Sequence, residues 1–216
     1  MSPAGVLVIT LFAGAFLFNG CATNRGLVSL TTPNSDKVAP SNGMEIYIRS
    51  VVDKRIFEEN PRSPDIPSLD PSEAQGEDIK RRAIARKRNA FGKGLGDILL
   101  NEGQTVVSVI TDSLRQAFIE EGYTVAGTSS NLGKNSRTID VEINKFWSWM
   151  NPGFWAITLS TEIGTDIVVQ GAGGGEKKTV NVKAADHFQT GVEGNWVAVM
   201  HSALKDYINE VKTKMK

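Results

Sequence analysis

Arg137-Thr138-Ile139-Asp140-Val141-Glu142-Ile143-Asn144, then Met150-Asn151-Pro152-Gly153, then Ile157-Thr158-Leu159-Ser160-Thr161-Glu162-Ile163-Gly164-Thr165-Asp166-Ile167-Val168-Val169: this stretch decides the fold. Apolar and polar residues alternate through both runs, the period of a strand with one buried face. The Asn-Pro-Gly between them is turn chemistry, so the stretch predicts two long antiparallel strands joined as a hairpin. Gly171-Ala172-Gly173-Gly174-Gly175 makes the next turn, into Val180, Val182, Ala184 and Phe188, a third strand of the same meander.

Outward from the meander the period changes. Trp196, Val199, Met200, Ala203, Leu204, Tyr207, Ile208, Val211 and Met215 recur at three and four residues, which predicts an amphipathic helix whose stripe lies across the sheet. Upstream, Val106, Ile110, Leu114, Ala117 and Phe118 form a second such stripe, begun by Gln104 or Thr105 and stopped at Gly122, with Tyr123-Thr124-Val125 as a short strand. Met44, Ile46 and Ile48 mark a first strand. The expected fold is α+β: a mostly antiparallel sheet of about four to five strands with two helices on one face, preceded by a signal peptide and a flexible tether.

Between the first strand and the first helix lies an insertion at about 54–103. Pro61, Pro64, Pro67 and Pro71 stiffen its first half, which reads as a surface loop, with a polyproline docking ridge as the alternative. Lys80-Arg81-Arg82-Ala83-Ile84-Ala85-Arg86-Lys87-Arg88 is the dense charge block. It reads as a solvated helix or loop face that could also bind anionic headgroups or an anionic envelope polymer. Gly92, Gly94 and Gly96 fit neither phosphate-loop spacing and read as a flexible turn.

The N-terminus is legible by length. Val6 to Phe18 is uncharged, suits a signal-peptide h-region and falls short of the roughly 20 residues a spanning helix needs. Phe18-Asn19-Gly20-Cys21 resembles the bacterial lipobox, and Cys21 is the chain's single cysteine, with no partner for an internal disulfide. The resemblance implies a diacylglyceryl thioether and an amide-linked acyl chain on Cys21, and no other cofactor. Ala22 in place of aspartate implies the outer membrane, facing the periplasm. An ordinary signal peptide with Cys21 as a bystander, or a retained hydrophobic anchor, are the alternatives. The chain then divides into a signal peptide (1–20), a lipidated N-terminus and linker (21–43) and a single domain (44–216).

Lys+Arg and Asp+Glu both number 24, so no overall field favours nucleic acid as a partner. His187 and His201 are the only histidines, and no metal-ligand spacing surrounds them. Asp186 beside His187 and Ser202 beside His201 lack a nucleophile elbow. Glu142, Glu162 and Asp166 read as carboxylates on polar strand faces. No catalytic, cofactor or metal residue is expected, and the chain reads as a non-enzyme.

Aromatic residues crowd the hairpin tip. Trp147 and Trp149, in phase with Ile139, Val141 and Ile143, are expected to extend the core beneath the helices, while Trp155 is open to either role. Trp149 and Trp155, with Arg82, Arg86, Lys87 and Arg88, form the candidate interaction surface. Val106 to Val125, with its helix ending Glu121-Gly122-Tyr123, the hairpin from Arg137 to Val169, the strand from Val180 to Phe188 and the terminal helix together resemble the YajG family of bacterial lipoproteins. The resemblance covers most of residues 44 to 215 and implies an envelope lipoprotein. Two function classes follow: an interaction module holding an envelope protein or anionic polymer, or a lipid-handling accessory of the outer membrane.

Overall fold

The computed structural model describes residues 25–34, 39–72, 75–129, 133, 135–171 and 174–215. Cys21 and the apolar run before it lie outside the described residues. In chain order the elements are β1 (Gly26–Val28), β2 (Glu45–Asp53), α1 (Glu77–Arg82), β3 (Ala83–Arg88), β4 (Gly94–Leu100), α2 (Val106–Glu120), β5 (Thr124–Val125), β6 (Ser136–Pro152), β7 (Ile157–Gly171), β8 (Gly174–Phe188) and α3 (Glu193–Met215).

The 17-residue β6 organises the sheet. Along one edge it pairs with β7 over its full length, and β7 pairs with β8, completing an antiparallel meander. Along the other edge β6 carries two different strands end to end. β2 runs parallel to it from Ser136 to Ile143, and β3 runs parallel to it at Ser148. Beyond β2 lies β5, parallel; beyond β3 lie β4, antiparallel, and β1, parallel to β4.

The sheet is therefore eight-stranded and mixed, with three helices, and the expectation of four to five mostly antiparallel strands and two helices is corrected. The additional strands come from charged or short segments. β3 is built from the basic block, and β1 from the stretch expected to be tether. Leu30, just after β1, is buried and bound through both its backbone groups to the Gln104 side chain, at 2.9 and 2.7 Å.

One face of the sheet carries α2 and α3, and the main core lies there. Ile46, Ile139, Val141, Ile143, Phe146, Ile163 and Ile167 from the strands meet Leu114, Phe118, Trp196, Leu204 and Tyr207 from the helices. α2 starts on Thr105, whose hydroxyl accepts from the Ser108 N–H while Ser108 Oγ accepts from the Thr105 N–H, a reciprocal cap. It stops at Gly122, which has φ +81°, and a Cβ there would lie 2.2 Å from the Pro40 carbonyl oxygen.

The opposite face is covered by chain from Arg55 to Ser72, over a smaller core of Leu69, Ala83, Leu99, Trp147 and Trp149. Trp147 Nε1 donates to the Pro64 carbonyl at 3.1 Å, and its ring meets Phe57 edge-on at 6.0 Å. Pro61 and Pro67 are buried and Pro64 is half-buried, so the proline spacing packs inward and the docking-ridge alternative is corrected.

Trp147 and Trp149 are buried as expected, but on the far side of the sheet from the helices. The register of β6 against β7 shifts between Ile143 and Lys145, a bulge at Asn144. One extra residue turns every following side chain to the other face, which brings Phe146 under the helices and sends the two tryptophans away from them.

Where β2 ends and β3 begins, Arg55 fills the gap along β6. Its side chain has no solvent exposure. Nη1 donates to the carbonyls of Ala83 at 2.6 Å and Phe146 at 3.1 Å, and Nη2 to Lys80 at 2.7 Å. Asp53 balances the charge, accepting from Nη2 at 2.8 Å and Nε at 2.9 Å. A fork in a sheet strands polar backbone groups, and one guanidinium answers two of them, the Ala83 and Phe146 carbonyls, while also reaching the end of α1 at Lys80.

Candidate functional site

Because β3 and β6 run parallel, their C-terminal ends lie together, and the turns that follow them stand side by side. The β3–β4 turn is tied by Asn89, whose Oδ1 accepts from the N–H groups of Phe91 at 3.0 Å and Lys93 at 2.9 Å. Gly92 supplies the left-handed residue, φ +80°. The β6–β7 turn is closed by the Gly153 N–H on the Ala156 carbonyl at 3.0 Å. Residues 60–64 come alongside, and the three segments enclose an open groove of about 590 Å³ lined by Asn60, Pro61, Arg62, Arg88, Phe91 and Met150 among others.

Three aromatic rings stand out from this end. Phe91 is 94% exposed, Phe154 89% and Trp155 84%, the three most exposed large apolar side chains among the described residues. Phe154 and Trp155 pack edge-to-face at 4.8 Å. Val192, between β8 and α3 at the same end, is 53% exposed. Sequence reasoning missed Phe91; the available signal was an aromatic inside a turn otherwise made of Asn, Ala, Gly and Lys.

From Arg82 onward the basic block faces inward, while Lys80 and Arg81 stay at the surface, paired with Glu77 and Asp78. Arg82 and Arg86 are buried, Arg82 donating to the Leu100 carbonyl at 3.1 Å and Arg86 to the Leu69 carbonyl at 2.5 Å. Lys87 is paired with Glu193 at 3.1 Å. Arg88 bonds Ser68 Oγ at 2.8 Å and the Gly92 carbonyl at 3.2 Å, and burial and the neighbouring Arg86 pull its guanidinium below its ordinary value. Trp149 is also covered, with Lys183 Nζ 4.9 Å from its ring centre. Of the candidate surface residues, Trp155 is exposed and Arg88 reaches the groove; Trp149, Arg82 and Arg86 are interior, and the expectation of a solvated basic face is corrected. β3 is buried on both faces over Ala83 to Arg86, and Arg82, at the end of α1, is buried beside it; both arginines found carbonyls and carboxylates there.

Beneath the turn, Asp97 anchors an ionic cluster without solvent exposure. Its two carboxylate oxygens accept from the Asp70 N–H at 3.2 and 3.1 Å, and Arg25 lies at 3.4 Å. Arg86 reaches Asp70 at 3.5 Å and lies over Gly94, where a Cβ would come within 2.4 Å of its Nη2. The Asp70 carboxyl is held below its ordinary range, chiefly by the Ser72 hydroxyl, then by the Ser72 N–H, with Arg86 and Arg25 adding attraction against the effect of burial. A carboxylate whose folded value is depressed contributes stability above its unfolded pKa of about 3.9 and loses it as pH falls through the folded value. Asp70→Asn is therefore expected to melt below the wild type at neutral pH, and the gap to close in strong acid; thermal melts across that range check it.

The remaining chemical candidates are dispersed. His187, exposed on β8, pairs with the Thr158 hydroxyl at 3.0 Å, and Asp186 accepts from the His187 backbone N–H at 2.7 Å. His201 and Ser202 are exposed on α3. Glu162 lies across from Trp147. Glu142 lies across from Asp166, but Asp166 is held low by Thr179 and Lys177, the reverse of the shift a general acid needs. Among the described residues no cluster of three His, Cys, Asp or Glu side chains could hold a metal ion, and no helix is long and apolar enough to cross a membrane.

No family model and no curated protein sequence matches this chain. Several solved structures are similar along most of its length. A Xanthomonas campestris protein of family-model DUF330 is 13% identical, covering 88% of this chain and 95% of its own, with a TM-score of 0.47. A Chlamydia trachomatis hypothetical protein is 7% identical over 82% and 96%, with a TM-score of 0.41. A neuraminyllactose-binding hemagglutinin homolog from Helicobacter pylori is 9% identical over 88% and 92%, with a TM-score of 0.40.

Proposed function

We propose that this chain is a lipid-anchored lipoprotein of the bacterial envelope, on the periplasmic side of the outer membrane, working as a non-catalytic interaction module. The anchor reading is supported by the lipobox-like Phe18-Asn19-Gly20-Cys21 behind an apolar run and by the resemblance of residues 44 to 215 to YajG lipoproteins. The observation that carries the module reading is the gathering of an open groove and three exposed aromatics at one end of the sheet, while four of the charge block's six cations are spent on contacts within the fold. An anionic polymer loses its docking block by the same token. The partner this groove suits is a protein segment, met by prolines, amides and Arg62 and Arg88. The lipid-handling alternative needs an apolar chamber for an acyl chain, and a groove with this polar lining gives it no support.

Cys21→Ser is expected to abolish acyl labelling and to release the protein from membrane fractions if acylation is the anchor. Continued membrane retention without label would assign the hold to the apolar run Val6 to Phe18 instead. For the module, a photocrosslinker at Asn151 in the groove is expected to yield a discrete protein adduct in the native envelope, and the absence of any adduct overturns the reading.

A further inference from the structure

The direction in which the chain enters the fold relates the groove to the membrane. β1 is parallel to β4 and β4 antiparallel to β3, so β1 begins at the end of the sheet where β3 and β6 finish. Gly26 pairs with Ile98, and Ile98 with Ala85, which pairs with Ser148; Arg25 is thus a few residues below the two turns. The described chain enters the sheet at that end, with Arg25. Cys21 lies four residues upstream of it, and four residues span at most about 14 Å. A group fixed to a bilayer through Cys21, or through the apolar run before it, therefore holds this end of the sheet against the lipid.

The same end presents what an interfacial surface requires. Phe91, Phe154, Trp155 and Val192 project from three separate connections, and a ring that joins apolar area to a polar N–H favours the headgroup level. Lys93 on the Phe91 turn and Arg62 on the adjoining segment 60–64 are exposed and match anionic headgroups in charge. Elsewhere the exposed apolar residues stand singly, Ile56 and Ile119 among them. From this, resting on the anchored reading above, we infer that Phe91, Phe154 and Trp155 dip into the lipid interface, so that the domain sits on its turn-bearing end with the groove opening at the membrane surface.

Trp155 is a built-in reporter, because Trp147, Trp149 and Trp196 are 0%, 5% and 0% exposed. The purified full-length protein is reconstituted into vesicles of phosphatidylethanolamine and phosphatidylglycerol whose acyl chains carry bromine, and tryptophan emission is compared with unbrominated vesicles. Quenching is expected in the wild type and its loss in Trp155→Phe, which keeps an exposed ring and leaves the cores untouched. Phe91→Ser with Phe154→Ser, both at exposed positions, is expected to reduce the quenching of Trp155. Wild-type emission that is the same in brominated and unbrominated vesicles overturns the inference, including the case in which a protein partner covers these rings. Mass spectrometry of the same sample reads Cys21. An acylated but unquenched protein sinks only the interfacial docking, whereas a quenched but unacylated one supports the docking and removes the lipoprotein reading.

Discussion

Arg55→Met is expected to lower unfolding free energy by about 3–5 kcal/mol, the range for removing one partner of a buried charge pair. The methionine keeps most of the side-chain volume, so packing changes little. What is lost is the donor set: the buried Ala83 and Phe146 carbonyls are left at the fork, while the Lys80 carbonyl keeps the Ala83 N–H, and Asp53 keeps a charge that had been balanced. Each unsatisfied buried acceptor costs about 1–3 kcal/mol, which makes the total plausible without invoking the aromatic contact to Phe57 at 5.2 Å. Denaturant titration measures the loss. Adding Asp53→Asn is expected to recover part of it, because the unbalanced carboxylate goes; a double variant no more stable than Arg55→Met would show that the carbonyls account for the whole effect. A loss below 1 kcal/mol would show that water replaces the guanidinium and that the fork is wet.

Trp147→Ala removes one of the two largest side chains in the far-side core, the one with no exposure, and is expected to cost about 3–5 kcal/mol. It also removes the bond to the Pro64 carbonyl and the edge-on contact with Phe57, two of the ties between the sheet and the segment from Arg55 to Ser72. Lys145 Nζ to the Asp65 carbonyl at 2.5 Å and Arg86 to Leu69 remain. Amide exchange in residues 57–69 is therefore expected to speed up well before that of β6 and β7, whose antiparallel ladder is unaffected. Uniform acceleration across the sheet would mean that the two faces unfold as one unit.

Period and turn chemistry account for what could be read in advance. The meander, α2 with its Gly122 stop and α3 each carry a long single-period stripe, and every apolar position of the α3 stripe is buried. The bulge at Asn144 left no such mark. No glycine or proline stands there, and the alternation on either side reads as unbroken unless the phase is known to slip. β3 was hidden by composition: a run with six cations in nine residues looks solvated, and the carbonyls of Leu69 and Leu100 with the carboxylates of Asp70, Asp78 and Asp97 make burial of Arg82 and Arg86 tolerable. Apart from Asp78, four positions before Arg82, those partners lie 11 to 18 positions away in sequence, beyond any local pattern. β1 has three residues and one neighbour strand, too little for periodicity to register.

The candidate surface was half legible for a related reason. Tryptophan density marked the hairpin tip, but which ring emerges depends on where strand gives way to turn, and Trp155 lies in the turn while Trp149 precedes it on a strand already flipped. Phe91 became a candidate only when parallel pairing of β3 with β6 set one turn beside the other.

β1 also fixes how the body responds to mechanical force. A pull on the N-terminus enters along the axis of β1, so its hydrogen bonds to β4 are sheared together instead of being peeled apart in turn. The Arg25–Asp97 pair stands first in the path of that force. Behind it, the load passes from β4 through β3 to β6, the strand that joins the two halves of the sheet.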